Sequence, residues 1–411
     1  MAKGRSSATS LASVDILDPD IYIRGVPHDT FRLLRREAPV YWHPEPGGGG
    51  FWAVTKYDDV VTVSMDPATF SSALRGSLIE DPPEDALPVM RSLLINQDPP
   101  RHTKYRRLVS KGFTPAMVRR LEPHIRELTA RIIDRVAPLG QCDFVTDVAA
   151  ELPLQVIVEL MGVPLEDRHR VFDWSNRMLG NADPEYSGSI EEARRASLEL
   201  YAYANELASK RKRDPQDDLV SVLMRADLDG EALTEAEFDA FFMLLAVAGN
   251  ETTRNAIAGG MLALIQHPEQ RARLLADPSL LPLAVEEMLR WVSPVIHFRR
   301  TATRDTELRG QRIRQGDKVV IFYASANRDE DYFPDGDVFD VGRTPNEHVA
   351  FGPGGPHFCL GANLARLEMR IMFEELLRRL PDMELAGPVQ RLRSNFINGI
   401  KHMPVRYTPQ S

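Results

Sequence analysis

This 411-residue chain has two cysteines, and Cys359 is the one that stands in a setting suited to chemistry. It lies in the string FGPGGPHFCLGANLAR, Phe351 to Arg366. The glycines and prolines there prevent regular structure, so backbone N–H groups are free to point inward. Leu360, Leu364, Leu367 and Ile371 follow at spacings of four, three and four, a helical stripe that begins right after the cysteine. A helix N-terminus is expected to lower a thiol's pKa through its dipole and unpaired N–H groups. A thiolate held there can be a nucleophile or an iron ligand. The plainer alternative is a small buried residue ahead of a helix.

Three further groupings could carry chemistry. In AGNETT, Ala248 to Thr253, an acid (Glu251) and an alcohol (Thr252) sit side by side in an otherwise apolar stretch, where burying them is costly. Thr252 can bond the carbonyl four residues earlier and open a groove in the helix; a tolerated polar kink is the bland alternative. In HTKYR, His102 and Arg106 are four apart on a new helix and project to one side, suited to binding carboxylates. A basic surface helix would look the same. In EEMLRWVSP, Glu287 and Arg290 are three apart and by themselves need be no more than a surface ion pair.

The cysteine string resembles the haem-binding loop of the cytochrome P450 family, F-x-x-G-x-[HR]-x-C-x-G. Gly355, His357, Cys359 and Gly361 fall on the pattern, and Phe351 lies one residue too far from the glycine, a one-residue insertion. The resemblance implies that Cys359 is the iron ligand of haem b (iron protoporphyrin IX), its thiolate favouring O–O cleavage. It also implies that Glu251 and Thr252 relay protons and hold dioxygen, and that His102, Arg106, Arg300 and His357 bind haem propionates. Glu287, Arg290 and Arg343 would form a structural lock. VAGNETTRNAI and NFINGIKHMPVRY resemble bacterial members that oxidise terminal methyl groups of sterol side chains or methyl-branched lipids. A terpenoid or natural-product hydroxylase of the same fold is an alternative. So are a peroxide-driven enzyme of this fold and, from other classes, a haem protein that binds a ligand without turnover or an unrelated helical protein with a structural cysteine. The acid–alcohol pair counts against the peroxide-driven enzyme and the haem protein without turnover.

The resemblance further implies a hydrophobic small-molecule substrate and electrons from a ferredoxin and its reductase, since the chain has no flavin or nicotinamide fingerprint and too few cysteines for an iron–sulfur cluster. Arg101, Lys104, Arg107 and Lys111 are expected to dock that acidic donor, unless they are only a solvated helix face. Leu244, Val247, Ala248, Val295, Ile296, Phe298 and Ile397 are expected to line the substrate pocket, closed by the loop from Leu74 to Leu94 and the turn at Ile397–Asn398; ordinary core would be as apolar.

The elements that must position these groups are mainly α with a small β region, the family's fold. A T-x-x-E capping box at Thr234 and Glu237 opens the longest helix, which His267–Pro268 stops. Phe31 to Arg36 reads as a short helix, and Val40–Trp42, Phe51–Val54 and Val319–Tyr323 as strands. Ser71 to Pro100 reads as a long loop with a short helix, and Phe396 to Tyr407 as a hairpin around Asn398–Gly399. Residues 1–14 are expected to be a flexible tail and 15–411 a single catalytic domain.

Composition closes off other classes. The net charge of −9 gives no reason to expect nucleic acid, and two cysteines exclude a disulfide framework or multi-cysteine zinc site. No apolar run approaches the roughly 20 residues that span a bilayer, so a cytoplasmic monomer without a membrane anchor is expected.

Overall fold

The structure, a computed structural model, describes residues 10–228 and 231–410. Its main sheet grows from the expected hairpin. β1 (Val40–Pro44) and β2 (Gly50–Val54) pair antiparallel, Val40 opposite Val54. Gly47, Gly48 and Gly49 turn the chain with φ of 88°, 99° and 86°, a region that residues with a Cβ rarely adopt. β3 (Phe70–Ser71), β4 (His297–Ala302) and β5 (Lys318–Phe322) complete five strands in the order β1-β2-β5-β4-β3.

Seven helices matter for the site: α1 (Arg101–Ser110), α2 (Glu151–Met161), α3 (Arg168–Leu179), α4 (Ile190–Arg213), α5 (Glu235–Gln266), α6 (Leu281–Val292) and α7 (Ala362–Arg379). The 32 residues of α5 make a rod of about 48 Å. The capping box starts it as expected: Glu237 N–H donates to Thr234 Oγ1 at 3.3 Å, and Thr234 N–H to Glu237 Oε2 at 2.9 Å. It crosses the interior against α2, α4, α6 and α7. Gly249 is what lets α2 approach, because a Cβ there would stand 2.7 Å from Ile157 Cγ1.

Three expectations change. Of the tail, residues 1–9 lie outside the described residues, but Leu11–Ser13 forms a helical turn whose Leu11 carbonyl accepts from Tyr41 Oη, and Val14 is buried. The ordered chain thus begins before residue 15. The expected hairpin at Phe396–Tyr407 does not form: Ile400–His402 pairs with Gln390–Arg391, while Pro404–Arg406 pairs with Glu384–Leu385 and Gln141–Asp143. Asn398–Gly399 imitates a hairpin turn, but Asn398 N–H is taken by Pro294 O at 2.9 Å. The helix after the cysteine starts at Ala362, three residues beyond Cys359.

Candidate active site

α5 is buried almost all round, yet Ala248 in its middle is exposed and Leu244 and Thr252, one turn either side, are half-buried. Positions four apart share a face, so this stripe lines a cleft inside the molecule. Val247 is half-buried beside it. Thr252 Oγ1 donates to the Ala248 carbonyl at 2.8 Å, the bond expected from the sequence. Glu251 lies one residue round the helix, fully buried, its Oε2 paired with Arg254 and its Oε1 without a protein partner. Burial pushes the Glu251 carboxyl up, against the pull of Arg254. Arg254 is itself held by Asn176 Oδ1 of α3 at 2.9 Å and lies over the Phe172 ring. This pair was not among the expectations, although Arg254 at i+3 from Glu251 is a pairing signal that the sequence carries.

The cysteine loop stands before α7, which packs on α5. Cys359 N–H donates to Phe351 O at 2.8 Å and closes the loop around the insertion. Gly352, Gly354 and Gly355 all have positive φ, the backbone freedom that the string requires. The residue as a whole is half-buried, its thiol enclosed by the loop. Contrary to expectation its pKa moves up: burial pushes it up, and Gly361 N–H, Arg106, Arg366 and Ala362 N–H only oppose that. Desolvation was not visible in the sequence.

Four basic side chains gather beside this loop. The rings of His102 and His357 lie 4.4 Å apart, and both feel Arg106 and Arg300. Burial, then these cations, hold His102 down to about 4 and His357 down to about 2. Arg106 donates to the carbonyls of Pro356 (3.1 Å) and Phe358 (2.6 Å), so it braces the loop itself. Arg300 Nη1 donates to the Arg299 carbonyl at 2.8 Å, and Tyr323 and Asp98 also favour its charge, but its buried Nη2 has no partner; neither has the buried Nδ1 of His102. Like charges buried together with orphaned donors call for an anion. The residues therefore fit the haem that the resemblance implies: a thiol for iron, unpaired donors for carboxylates, and Gly361, whose Cβ would meet nothing within 4 Å.

The expected pocket residues divide. Val295 and Phe298 are half-buried, and Val295 bridges Ile397, which is buried. Ile296 points the other way, fully buried with Phe31, Phe51 and Phe322 under the sheet, because neighbours in extended chain face opposite sides. It does not line the cleft. The loop over residues 71–100 holds exposed Leu74, Leu78 and Val89. On α1, Arg101 is drawn to Glu237 at 3.1 Å and Lys104 and Arg107 are exposed; the side chain of Lys111, just past α1, lies outside the described residues.

Glu287, Arg290 and Arg343 do come together. Arg290 and Glu287 are completely buried and doubly bonded at 2.7 Å, and Arg343 Nε reaches Glu287 at 3.2 Å.

The cytochrome P450 family profile matches residues 24–381. The chain is 46% identical over 406 residues to a steroid C26-monooxygenase of Rhodococcus jostii, covering 97% of this chain and 85% of that one. It is also 46% identical over 408 residues to a methyl-branched lipid omega-hydroxylase of Mycobacterium tuberculosis, covering 97% and 94%. A solved Mycobacterium marinum cytochrome P450 in complex with pseudoionone superposes with a TM-score of 0.91 at 42% identity, covering 99% of this chain and all of that one.

Proposed function

The chain belongs to the cytochrome P450 family, and from that we propose that it hydroxylates a terminal methyl group on a sterol side chain or a methyl-branched lipid. It is a monooxygenase with a haem cofactor, and haem b (iron protoporphyrin IX) is the form we assign. What carries the substrate reading is that two relatives, one named for steroids and one for methyl-branched lipids, match 97% of the chain at equal identity. Leu244, Val247, Ala248, Val295 and Phe298 suit such a substrate, being apolar throughout.

When bound, the haem supplies activation of dioxygen and insertion of one oxygen atom into a C–H bond. In this reading Cys359 Sγ holds the iron, and His102, Arg300 and His357 hold the propionates while Arg106 braces the loop. Thr252 uses its own proton on Ala248 O, which leaves its oxygen an acceptor toward the cleft. Glu251 supplies protons from Oε1, the oxygen that Arg254 leaves unbound. Its raised pKa favours the protonated form that can donate. No helix of the described residues is long and apolar enough to cross a membrane. We assign the electrons to a ferredoxin and its reductase and take the enzyme to act as a cytoplasmic monomer.

The test is spectroscopic. Dithionite-reduced protein under carbon monoxide should show a strongly red-shifted Soret band that Cys359→Ala abolishes. The oxidised protein should then shift its Soret band on titration with a branched-side-chain sterol or a methyl-branched fatty acid, and turnover should place the hydroxyl on the terminal methyl. A histidine-type band would overturn the iron assignment; oxidation elsewhere on both lipids would overturn the substrate.

A further inference from the structure

At the far end of α5 from its capping box lies a cavity lined by none of the cysteine-loop residues. Its volume is about 220 Å³. Gly259, Leu262, Ala263 and Gln266 of α5 form one wall, Trp291 and Val292 of α6 another, and Asn398 and Ile400 a third. Four basic residues, Arg24, His28, Arg328 and Arg391, complete the lining, and no aspartate or glutamate does.

Three of these groups, Arg391, Arg328 and His28, are poorly matched by protein. Arg391 has one hydrogen bond, a long one of 3.4 Å to the neutral Asn398 Oδ1. Burial alone lowers its pKa, with no carboxylate to oppose it. Arg328 is 6% exposed and stacks 3.5 Å over the Trp291 ring. Its contacts to Asp337 (3.3 Å) and the Trp291 carbonyl (3.4 Å) are long, and its buried Nε has no partner. The buried Nδ1 of His28 has none either. The neighbouring arginines differ: Arg35 is bonded to Glu330 at 2.8 Å, Arg32 to Asp337 at 2.6 Å and Arg290 to Glu287. Two guanidinium groups left short of acceptors around a space cost free energy that an anion would recover.

We propose that this cavity is a binding site for a small oxyanion of the phosphate type. Size decides the class. About 30 Å³ is one water's share of liquid volume and drug-sized ligands take roughly 300–1,000 Å³, so a tetrahedral oxyanion with its waters fits and a nucleotide or lipid does not. Guanidinium groups match phosphate oxygens with forked donors. Gly25, with φ of 111°, packs against the Arg391 guanidinium (a Cβ there would lie 3.7 Å from Nε), so the wall is closed by backbone and not by a competing side chain. The site lies behind the turn that carries Ile397, and Asn398 Nδ2 ties that turn to the Val292 carbonyl at 2.5 Å.

The experiment is thermal unfolding of the holoenzyme against inorganic phosphate, at ionic strength held constant with potassium chloride. Ligand that binds only the folded state raises the midpoint in a saturable way, whereas exclusion of phosphate from the surface raises it without saturation. The wild type should show saturation. Arg391→Gln should need at least tenfold more phosphate for the same rise. Gln266→Glu, at an exposed position that tolerates substitution, should do likewise by placing a carboxylate on the rim; it decides the matter should Arg391→Gln not fold. An unsaturating rise, or one that is the same in wild type and Gln266→Glu, overturns the site.

Discussion

Two buried polar clusters in this molecule each hold a buried arginine and end in opposite conditions. Around Glu287 both carboxylate oxygens and every Arg290 donor are matched, although the buried Asn346 Oδ1 lacks a partner. The Glu287 carboxylate receives Arg290, Arg343, the Asp340 N–H (2.9 Å) and Asn346 (3.1 Å), and Arg290 spends its remaining donors on the carbonyls of Asn327, Gly336 and Val338. Around Cys359, His102, Arg300 and His357 crowd together with no carboxylate bonded to them, and two of their buried nitrogens are orphaned. A closed network holds a fold together; an open one holds a place for a ligand. The contrast is a physical criterion for telling structural from functional charge without any alignment.

Breaking the closed network should have the largest effect. Arg290→Ala leaves Glu287 buried with part of its compensation and strands the Asn327 and Gly336 carbonyls, since Val338 O keeps Arg343, which should cost roughly 3–5 kcal/mol in denaturant unfolding. Arg300→Gln removes a charge that no carboxylate bonds directly and that Tyr323 and Asp98 compensate only in part, so folding stability should change by about 1 kcal/mol or less while haem is lost about tenfold faster, as expected for a charge-assisted bond of roughly 1.5–3 kcal/mol. The comparison collapses if Arg300→Gln destabilises as much as Arg290→Ala, for both clusters would then be structural.

A third buried acid sharpens the same contrast through pH. Glu368, on α7, is as buried as Glu287 in practice, at 2% exposure, but burial pushes its pKa up to about 8 with no cation to oppose it. Between the ordinary value of 4.5 and about 8, the folded state keeps a proton that the unfolded chain releases. The folded state then binds more protons, so stability falls as pH rises through that window and levels off above it. Glu368→Gln should remove that decline, leaving a midpoint-versus-pH curve flatter than the wild type's. Parallel curves for the two proteins would mean that Glu368 is compensated after all.

What could be read from the sequence is what local chemistry writes. The Thr234–Glu237 box, the Thr252 back-bond and the turn glycines of the cysteine loop involve residues within a few positions of each other, and each formed as expected. The misreadings needed the third dimension. The side that Ile296 takes depends on where the sheet lies, and the thiol's pKa depends on how much water Cys359 loses. The hairpin failed because Asn398 found Pro294, over a hundred positions away. The Asn176–Arg254–Glu251 chain joins α3 to α5, and only its second half lay within one helix turn.

The smallest effect is expected on the outside of the same helix that feeds the open cluster. α1 turns His102 inward and leaves Lys104 and Arg107 exposed, while Arg101 is already drawn to Glu237. Exposed charges act on a partner mainly through encounter rate, and salt screens them over about 10 Å at 0.1 M. Arg107→Glu should therefore slow reduction by an acidic ferredoxin severalfold at low salt, with the difference from wild type shrinking as salt is added, while the haem spectrum and unfolding midpoint stay unchanged. Stopped-flow reduction at several ionic strengths measures this directly. Equal rates at every salt concentration would make this face a solvated helix surface, and the division between matched and waiting charge would then hold for the interior alone.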